Sequence, residues 1–198
     1  FREAVFALAS MIDRSRSVEP GTAAILSFEI NCATHRGKKQ NMDMFAEMLE
    51  DYGIRLKTFI RDITTVDEIR DLATCEHLIQ ISHGSMPDLM SKILFPEREV
   101  IVMDPPMSMD EIGEWCDMLS KLTGNRGNGY YERKKAEYDM EIARIRPQTE
   151  GKKAVFYTRQ DKKLNAQMDV LRDLGMEVSA IFSWPVLVEY HDPWDDRY

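Results

Sequence analysis

Leu49-Glu50-Asp51-Tyr52-Gly53-Ile54-Arg55-Leu56 and Leu171-Arg172-Asp173-Leu174-Gly175-Met176-Glu177-Val178 follow one plan: the last turn of an amphipathic helix, a glycine, then an apolar strand. A helix that hands the chain directly to a strand commonly needs one residue at positive φ, and glycine adopts that conformation without a Cβ penalty. Each copy is preceded by an apolar, β-rich run and a polar loop. In the first these are Ala24 to Ile30 and Asn31 to Gln40; in the second, Ala154 to Thr158 and Arg159 to Lys163. The order strand, loop, helix, glycine, strand is a βαβ unit. Two such units predict parallel sheets with ligand loops at the carboxyl ends of the strands.

Alternation continues outward from these joints. Phe1 to Arg14 places Val5, Leu8, Ala9 and Ile12 on one helical face, and Glu19-Pro20-Gly21 reads as a turn. Ala23 to Ile30 is then a nearly continuous apolar strand of the kind buried on both faces. Met44, Phe45, Met48 and Leu49 line the helix that Gly53 ends, and Ile54 to Ile60 is the second strand. Thr65-Val66-Asp67-Glu68 has the capping-box spacing, so a short helix follows it. Leu78 to Ser82 is the third strand, His83 to Pro87 its loop, Asp88 to Leu94 a helix, and Val100 to Met103 the fourth strand. Ser108-Met109-Asp110-Glu111 repeats the capping box ahead of a helix carrying Ile112, Trp115, Cys116, Leu119 and Leu122. A highly charged helix from Tyr130 to Ile145 is closed by Arg146-Pro147. The second βαβ unit comprises Lys153 to Thr158, Leu164 to Leu174 and Glu177 to Ser183.

The predicted class is α/β: a Rossmann-like parallel sheet domain plus the beginning of a second Rossmann-like unit, joined by a charged helix. The expected divisions are an N-terminal helix over 1–19, a Rossmann-like domain over 20–125, a linker helix over 126–150 and a partial second unit over 151–198. A parallel sheet of two strands is not stable alone. The chain is therefore expected to continue past Tyr198, and Phe1 in place of an initiator Met suggests a fragment. Apolar surface left uncovered by an incomplete sheet favours self-association.

Composition narrows the function classes. At 198 residues and 43% hydrophobic, the chain can bury a substantial core. A net charge of -8 and a pI of about 5.1 argue against a dedicated binder of nucleic acid or acidic membrane. With no run approaching the length of a membrane span and no signal-peptide pattern at its start, the expected location is cytoplasmic. Cys32, Cys75 and Cys116 are widely spaced, which makes neither a disulfide framework nor a closed zinc site.

Chemistry is expected in the loops that leave the strand ends. The first, Asn31 to Gln40, holds Cys32, His35, Arg36, Lys38 and Lys39; the loop after the fifth strand holds Arg159, Lys162 and Lys163. Two basic loops at predicted ligand edges of an acidic protein suit an anionic cofactor or an acid group, although a solvated basic loop is the commoner case. Cys32 and His35 have the spacing of half a metal site. No glycine loop matches a dinucleotide or P-loop fingerprint, so a bound NAD or ATP is not supported.

Several segments carry a resemblance. Arg146-Pro147-Gln148-Thr149-Glu150-Gly151-Lys152-Lys153-Ala154-Val155-Phe156-Tyr157, followed by Asp173-Leu174-Gly175-Met176-Glu177-Val178, resembles the α-type subunits of the nitrogenase component 1 and nitrogenase-like oxidoreductase family. Leu78-Ile79-Gln80-Ile81-Ser82-His83-Gly84-Ser85-Met86 resembles the strand and loop that carries the cofactor's cysteine ligand in nitrogenase proper, and Asp195-Asp196-Arg197 echoes an acidic run of the family. The resemblance runs from about Ala24 onward. It implies a catalytic subunit that pairs with a homologous component 1 subunit and receives electrons from an ATP-dependent iron–sulfur reductase. In the full-length protein it implies an iron–sulfur cluster or related metal cofactor and a small-molecule substrate; the family's cluster-binding N-terminal domain is not among these residues.

One departure matters for the chemistry. Ile81 or Ser82 stands where the resemblance places a thiolate, and neither supplies the soft anionic ligand that iron–sulfur clusters use. His83, beside that position, reads either as an imidazole ligand or as a loop histidine bonded to neighbouring backbone. The candidate cofactor-binding residues are Ser82, His83, Gly84, Ser85, Arg159 and Lys162; the candidate metal ligands are His83, Cys32 and His35. No catalytic residue is assigned. The alternatives are a non-catalytic scaffold or carrier for a metal cofactor, and a small-metabolite-binding α/β module.

Overall fold

In the computed structural model, residues 2–27, 35–60, 64–81, 92–158 and 164–183 are described. The chain divides into two compact units, one of Phe1–Pro105 with Trp115–Tyr130, the other of Pro106–Glu114 with Tyr131–Tyr198. In the first unit, α1 (Arg2–Met11) leads to β1 (Glu19–Ser27), then come α2 (His35–Asp51), β2 (Arg55–Ile60), α3 (Val66–Asp71), a 3-10 turn (Leu72–Thr74), β3 (Cys75–Ile81) and β4 (Ile101–Met103). Helix α4 (Met109–Thr123) contributes its residues from Trp115 onward to this unit. The second unit contains most of α5 (Tyr130–Thr149), then β5 (Lys153–Thr158), α6 (Leu164–Asp173) and β6 (Glu177–Ser183).

Both glycine joints form, with the same hydrogen bonds. Gly53 has φ +80 and Gly175 φ +72. Gly53 N–H donates to Glu50 O at 2.9 Å and Ile54 N–H to Leu49 O at 3.0 Å; Gly175 N–H donates to Arg172 O at 2.9 Å and Met176 N–H to Leu171 O at 3.0 Å. This is the Schellman pattern, which satisfies helix-end carbonyls while turning the chain. Each joint then feeds a parallel strand: β1 pairs with β2, and β5 pairs with β6. The crossovers read from the two glycines are therefore the crossovers of the structure.

The larger sheet has the order β2-β1-β3-β4 and is parallel throughout its described pairings. Ala24, Leu26 and Leu78 share one face with Val5 and Ala9 of α1 and with Ile12 just after it, together with Leu72, Cys75, Leu94 and Phe95. Alternation sends Ala23, Ile25, Ile79 and Ile81 to the opposite face, where they are also buried. Burial on both faces explains why β1 reads as a continuous apolar run rather than an alternating one.

Four local expectations meet corrections. Glu19-Pro20-Gly21 does not end outside the sheet but lies within β1. Glu19 pairs with Cys75 and Ala23 with His77, so four residues of β1 span two of β3. The turn signal survives as a bulge, held by Gly21 N–H donating to the Glu76 carboxylate at 2.6 Å and by Glu76 N–H donating to Thr22 Oγ1 at 3.2 Å. Helix α1 stops at Met11 rather than Arg14, and the Arg14 guanidinium instead donates to the carbonyls of Ala9 at 2.9 Å and Leu94 at 2.8 Å. Strand β3 begins three residues before Leu78, at Cys75. Finally, Arg146-Pro147 does not close α5, which runs to Thr149 with Pro147 inside it. Proline removes one donor but leaves the following amides free to continue the ladder, and Glu150 N–H donates to Arg146 O at 2.8 Å.

Thr65 caps α3 as its spacing foretells. Its hydroxyl accepts from Glu68 N–H at 3.2 Å, and Glu68 accepts from Thr65 N–H at 2.6 Å. Residues 92–94 are helical, and the remainder of the helix expected over Asp88 to Leu94 falls outside the described residues.

Candidate functional site

The order β2-β1-β3-β4 fixes where the first unit presents its loops. From β1 the chain passes to β2 on one side, then crosses to β3 on the other, so the strand order reverses between β1 and β3. Parallel pairing puts the carboxyl ends of all four strands at one edge. Ser27 pairs with Ile81, Ile81 with Met103, and Leu26 with Ile60. Ser27 and Ile81 are thus adjacent where two connections leave the sheet, and such switch points are where open α/β sheets bind ligands.

The sequence candidates are distributed around these exits. Cys32 lies in 28–34, and Ser82, His83, Gly84 and Ser85 lie in 82–91, both outside the described residues. Arg159 and Lys162, which follow β5, lie in 159–163, also outside them. His35 opens α2, but its side chain is not described. What the fold supplies is the adjacency of the exits after Ser27 and Ile81; it assigns no distance among these side chains.

Ile81 itself is described. It is the last residue of β3 and 4% exposed, so it closes the sheet's apolar interior and offers no donor atom. Among the described residues no group of three or more His, Cys, Asp and Glu could hold a metal ion. Cys75 and Cys116 are buried. Cys75 lies at the amino end of β3, opposite the ligand edge, and burial pushes its thiol from 9.0 up to about 11 against the opposing pull of Lys57 and Arg98. It is therefore a protonated core thiol at neutral pH. The unfolded thiol ionises first, so this group's contribution to stability is present below about 9 and is lost as pH rises through about 11. Alkylation of the native chain at neutral pH is expected to leave Cys75 unmodified until denaturant is added. Peptide mapping of the alkylated protein checks this, and rapid native labelling of Cys75 would contradict its burial.

The turn after β4 is described in full. Trp115 Nε1–H donates to Asp104 O at 2.7 Å. Ser108 Oγ accepts from Glu111 N–H at 3.2 Å, as its spacing predicts, whereas the Glu111 carboxylate reaches back to Met107 N–H at 2.5 Å, one residue further out than a capping box. Within the second unit, Pro106, Met107 and Met109 form part of the wall of a pocket of about 440 Å³, closed on its other sides by Tyr138, Asp169 and Asp173. The Tyr138 hydroxyl donates to Asp173 Oδ2 at 2.8 Å. Burial first, then that hydrogen bond, pushes Tyr138 up to about 12, so it remains a proton donor across the physiological range. This pocket was not anticipated from the sequence. Its one signal was the pair Asp169 and Asp173, like charges one turn apart at the carboxyl end of α6, where the helix dipole disfavours carboxylates.

No helix among the described residues is long and apolar enough to cross a membrane. The family model for nitrogenase component 1 type oxidoreductases matches residues 1–184. A search of curated proteins gives no match. Among solved structures, nitrogenase Cp1 at pH 5 aligns with a TM-score of 0.65 and 14% identity, covering 93% of this chain and 38% of that one. Nitrogenase Cp1 at pH 6.5 aligns with a TM-score of 0.65 and 14% identity, covering 91% and 35%. At that identity the likeness concerns the fold, and the chain spans little more than a third of the length of these structures.

Proposed function

This chain belongs to the nitrogenase component 1 type oxidoreductases, and on that premise we propose that it is part of a catalytic subunit that reduces a small molecule with electrons from an ATP-dependent iron–sulfur reductase. The observation that carries the reading is the switch point between β1 and β3, where Ser27 and Ile81 are paired. Its two exits lead into the segments holding Cys32 and Ser82 to Ser85. In this reading a rigid sheet sets the positions of the connections, Arg159 and Lys162 hold an acid group of cofactor or substrate, and a homologous component 1 subunit completes the assembly in the cytoplasm.

An iron–sulfur centre does not fit the donor set of the described residues. Ile81 is apolar and buried, Cys75 is a protonated core thiol, and no cluster of ligating side chains is present among the described residues. Cluster ligation would fall to residues other than these. Ile81, at a position where the resemblance places a thiolate, also supports a second reading, a non-catalytic scaffold or carrier of a metal cofactor.

Turnover separates the two. The protein carrying this chain, purified anaerobically, is mixed with an iron–sulfur reductase and ATP, and both substrate reduction and bound iron are measured. Reduction that requires reductase and ATP together is expected. Iron retained without any reduction would replace the catalytic reading with the scaffold, and neither iron nor reduction would remove both.

A further inference from the structure

One buried polar side chain sits beside the switch point of the first unit. Gln80 is 0% exposed and is the last residue but one of β3. It pairs with Leu26 of β1 on one side and with Val102 of β4 on the other. Alternation puts it on the face of Leu78 and Leu26, which those residues share with Val5, Ala9, Leu94 and Phe95. These neighbours offer no polar side chain. A primary amide carries two donors and an acceptor, and burying it among apolar groups is costly unless they are hydrogen-bonded. On packing alone a methionine would serve better at this position.

Geometry limits where the amide can turn. To either side of it the main chain is engaged in the parallel ladders with β1 and β4, and the layer over this face is apolar. Its inward neighbour on the same face is Leu78. The direction left is outward, where one residue further the strands end at Ser27, Ile81 and Met103. Main-chain groups at a strand end take partners other than the ladder. A glutamine side chain spans the rise of about 3.3 Å to the next residue of a strand.

We propose that Gln80 is a positioning residue, whose amide bonds main-chain groups at the carboxyl ends of β1 and β3 and fixes how the chain leaves the sheet there. This deepens, and rests on, the reading of that edge as the ligand edge. The strand order reverses between β1 and β3, so the directions of these two exits set the geometry of whatever binds between them. Small errors of placement at such a point are costly to chemistry far from the error.

Gln80→Met keeps the length of the side chain and removes the amide. In the protein carrying this chain, hydrogen exchange of peptides covering the carboxyl ends of β1 and β3 is expected to quicken by about tenfold, while peptides from β2 and α3 stay unchanged. The urea midpoint is expected to stay level or rise, because an apolar side chain replaces a polar one among apolar neighbours. Leu78→Met, on the same face, is the control and should leave exchange at the strand ends as it was. Gln80→Met should also lower kcat/KM of the reductase-dependent reduction by about tenfold. Exchange at the strand ends that Gln80→Met does not move would overturn the proposal. A lower urea midpoint with exchange rising evenly over the unit would also overturn it, making Gln80 an ordinary core residue. Faster exchange at the strand ends with reduction unchanged would uphold the positioning of the exits and remove this edge as the ligand site. A parent protein that reduces nothing would refute the catalytic reading, and exchange alone would then decide the role of Gln80.

Discussion

Trp115→Ala is expected to destabilise the chain by about 3–5 kcal/mol, the range for deleting a large buried aromatic side chain. Trp115 is 1% exposed, its ring centroid lies 5.0 Å from that of Phe45 on α2, and its indole N–H donates to the Asp104 carbonyl just after β4. One side chain thus ties α4 to both α2 and the end of the sheet. Against a typical total of about 5–15 kcal/mol for a domain, that loss is a large part of the stability. Trp115→Phe keeps the ring contact and gives up the N–H, so it should recover all but about 1–2 kcal/mol. Urea unfolding followed by far-ultraviolet circular dichroism measures both. A loss under about 1 kcal/mol for Trp115→Ala would mean that the space around Phe45 collapses freely and that the packing is not as tight as its burial indicates.

Asp51→Ala is the second large effect, expected at about 2–4 kcal/mol, because a buried carboxylate is replaced while its donors stay in place. Asp51 Oδ2 accepts from Asn128 N–H at 2.7 Å and from Tyr130 N–H at 3.1 Å, and the Asp51 carbonyl accepts from Asn128 Nδ2 at 3.0 Å. Within the first unit, the last residue of α2 therefore holds Asn128 and Tyr130, and the Tyr130 amide has no partner within its own helix. Gly127 is part of the same node. It has φ +73, and a Cβ there would stand 2.8 Å from Asp51 Oδ2 and 2.9 Å from the Tyr52 ring. Gly127→Ala is accordingly expected to cost about 2–4 kcal/mol from backbone strain and displacement of the carboxylate. The two substitutions should not add. Removing the carboxylate relieves one of the two clashes, so the double variant should be more stable than the sum predicts by about 1 kcal/mol. Strict additivity in a denaturation cycle would show that Gly127 and Asp51 act separately.

How far these features were legible follows from the span of the interactions behind them. The capping box at Thr65 closes over four residues, and each glycine joint closes over six, so the side chains that decide them sit side by side in the sequence. The Asp51 node joins positions 77 and 79 residues apart, and nothing near Asp51 in the sequence distinguishes it from a solvent-facing helix carboxylate. Glu19-Pro20-Gly21 reads locally as a turn before the strand, and only its pairing with β3 reveals a bulge inside the sheet. Pro147 misled for the opposite reason: a strong local signal was outweighed by the continuing hydrogen bonds of the helix around it.

The site divides along the same line. Parallel pairing and the crossovers through Gly53 and Gly175 were fixed by local patterns, and with them the edge at which the loops after the strands' carboxyl ends emerge. Cys32, Ser82 to Ser85, Arg159 and Lys162 were placed in those loops by sequence, and their side chains lie outside the described residues. The pocket bounded by Met107, Tyr138 and Asp173 left only the Asp169 and Asp173 pair as a trace in the sequence, because its walls come from a turn and three separate helices.

By itself, then, the sequence determined the elements, their joints and the parallel sense of the strands, since each depends on hydrogen bonds and steric preferences within a few consecutive residues. Only the tertiary structure decided the order β2-β1-β3-β4 and the acceptance of the Asn128 and Tyr130 amides by Asp51. Those depend on which distant apolar and polar groups outcompete one another for burial, and the free energy of that competition belongs to the assembled core rather than to any one segment.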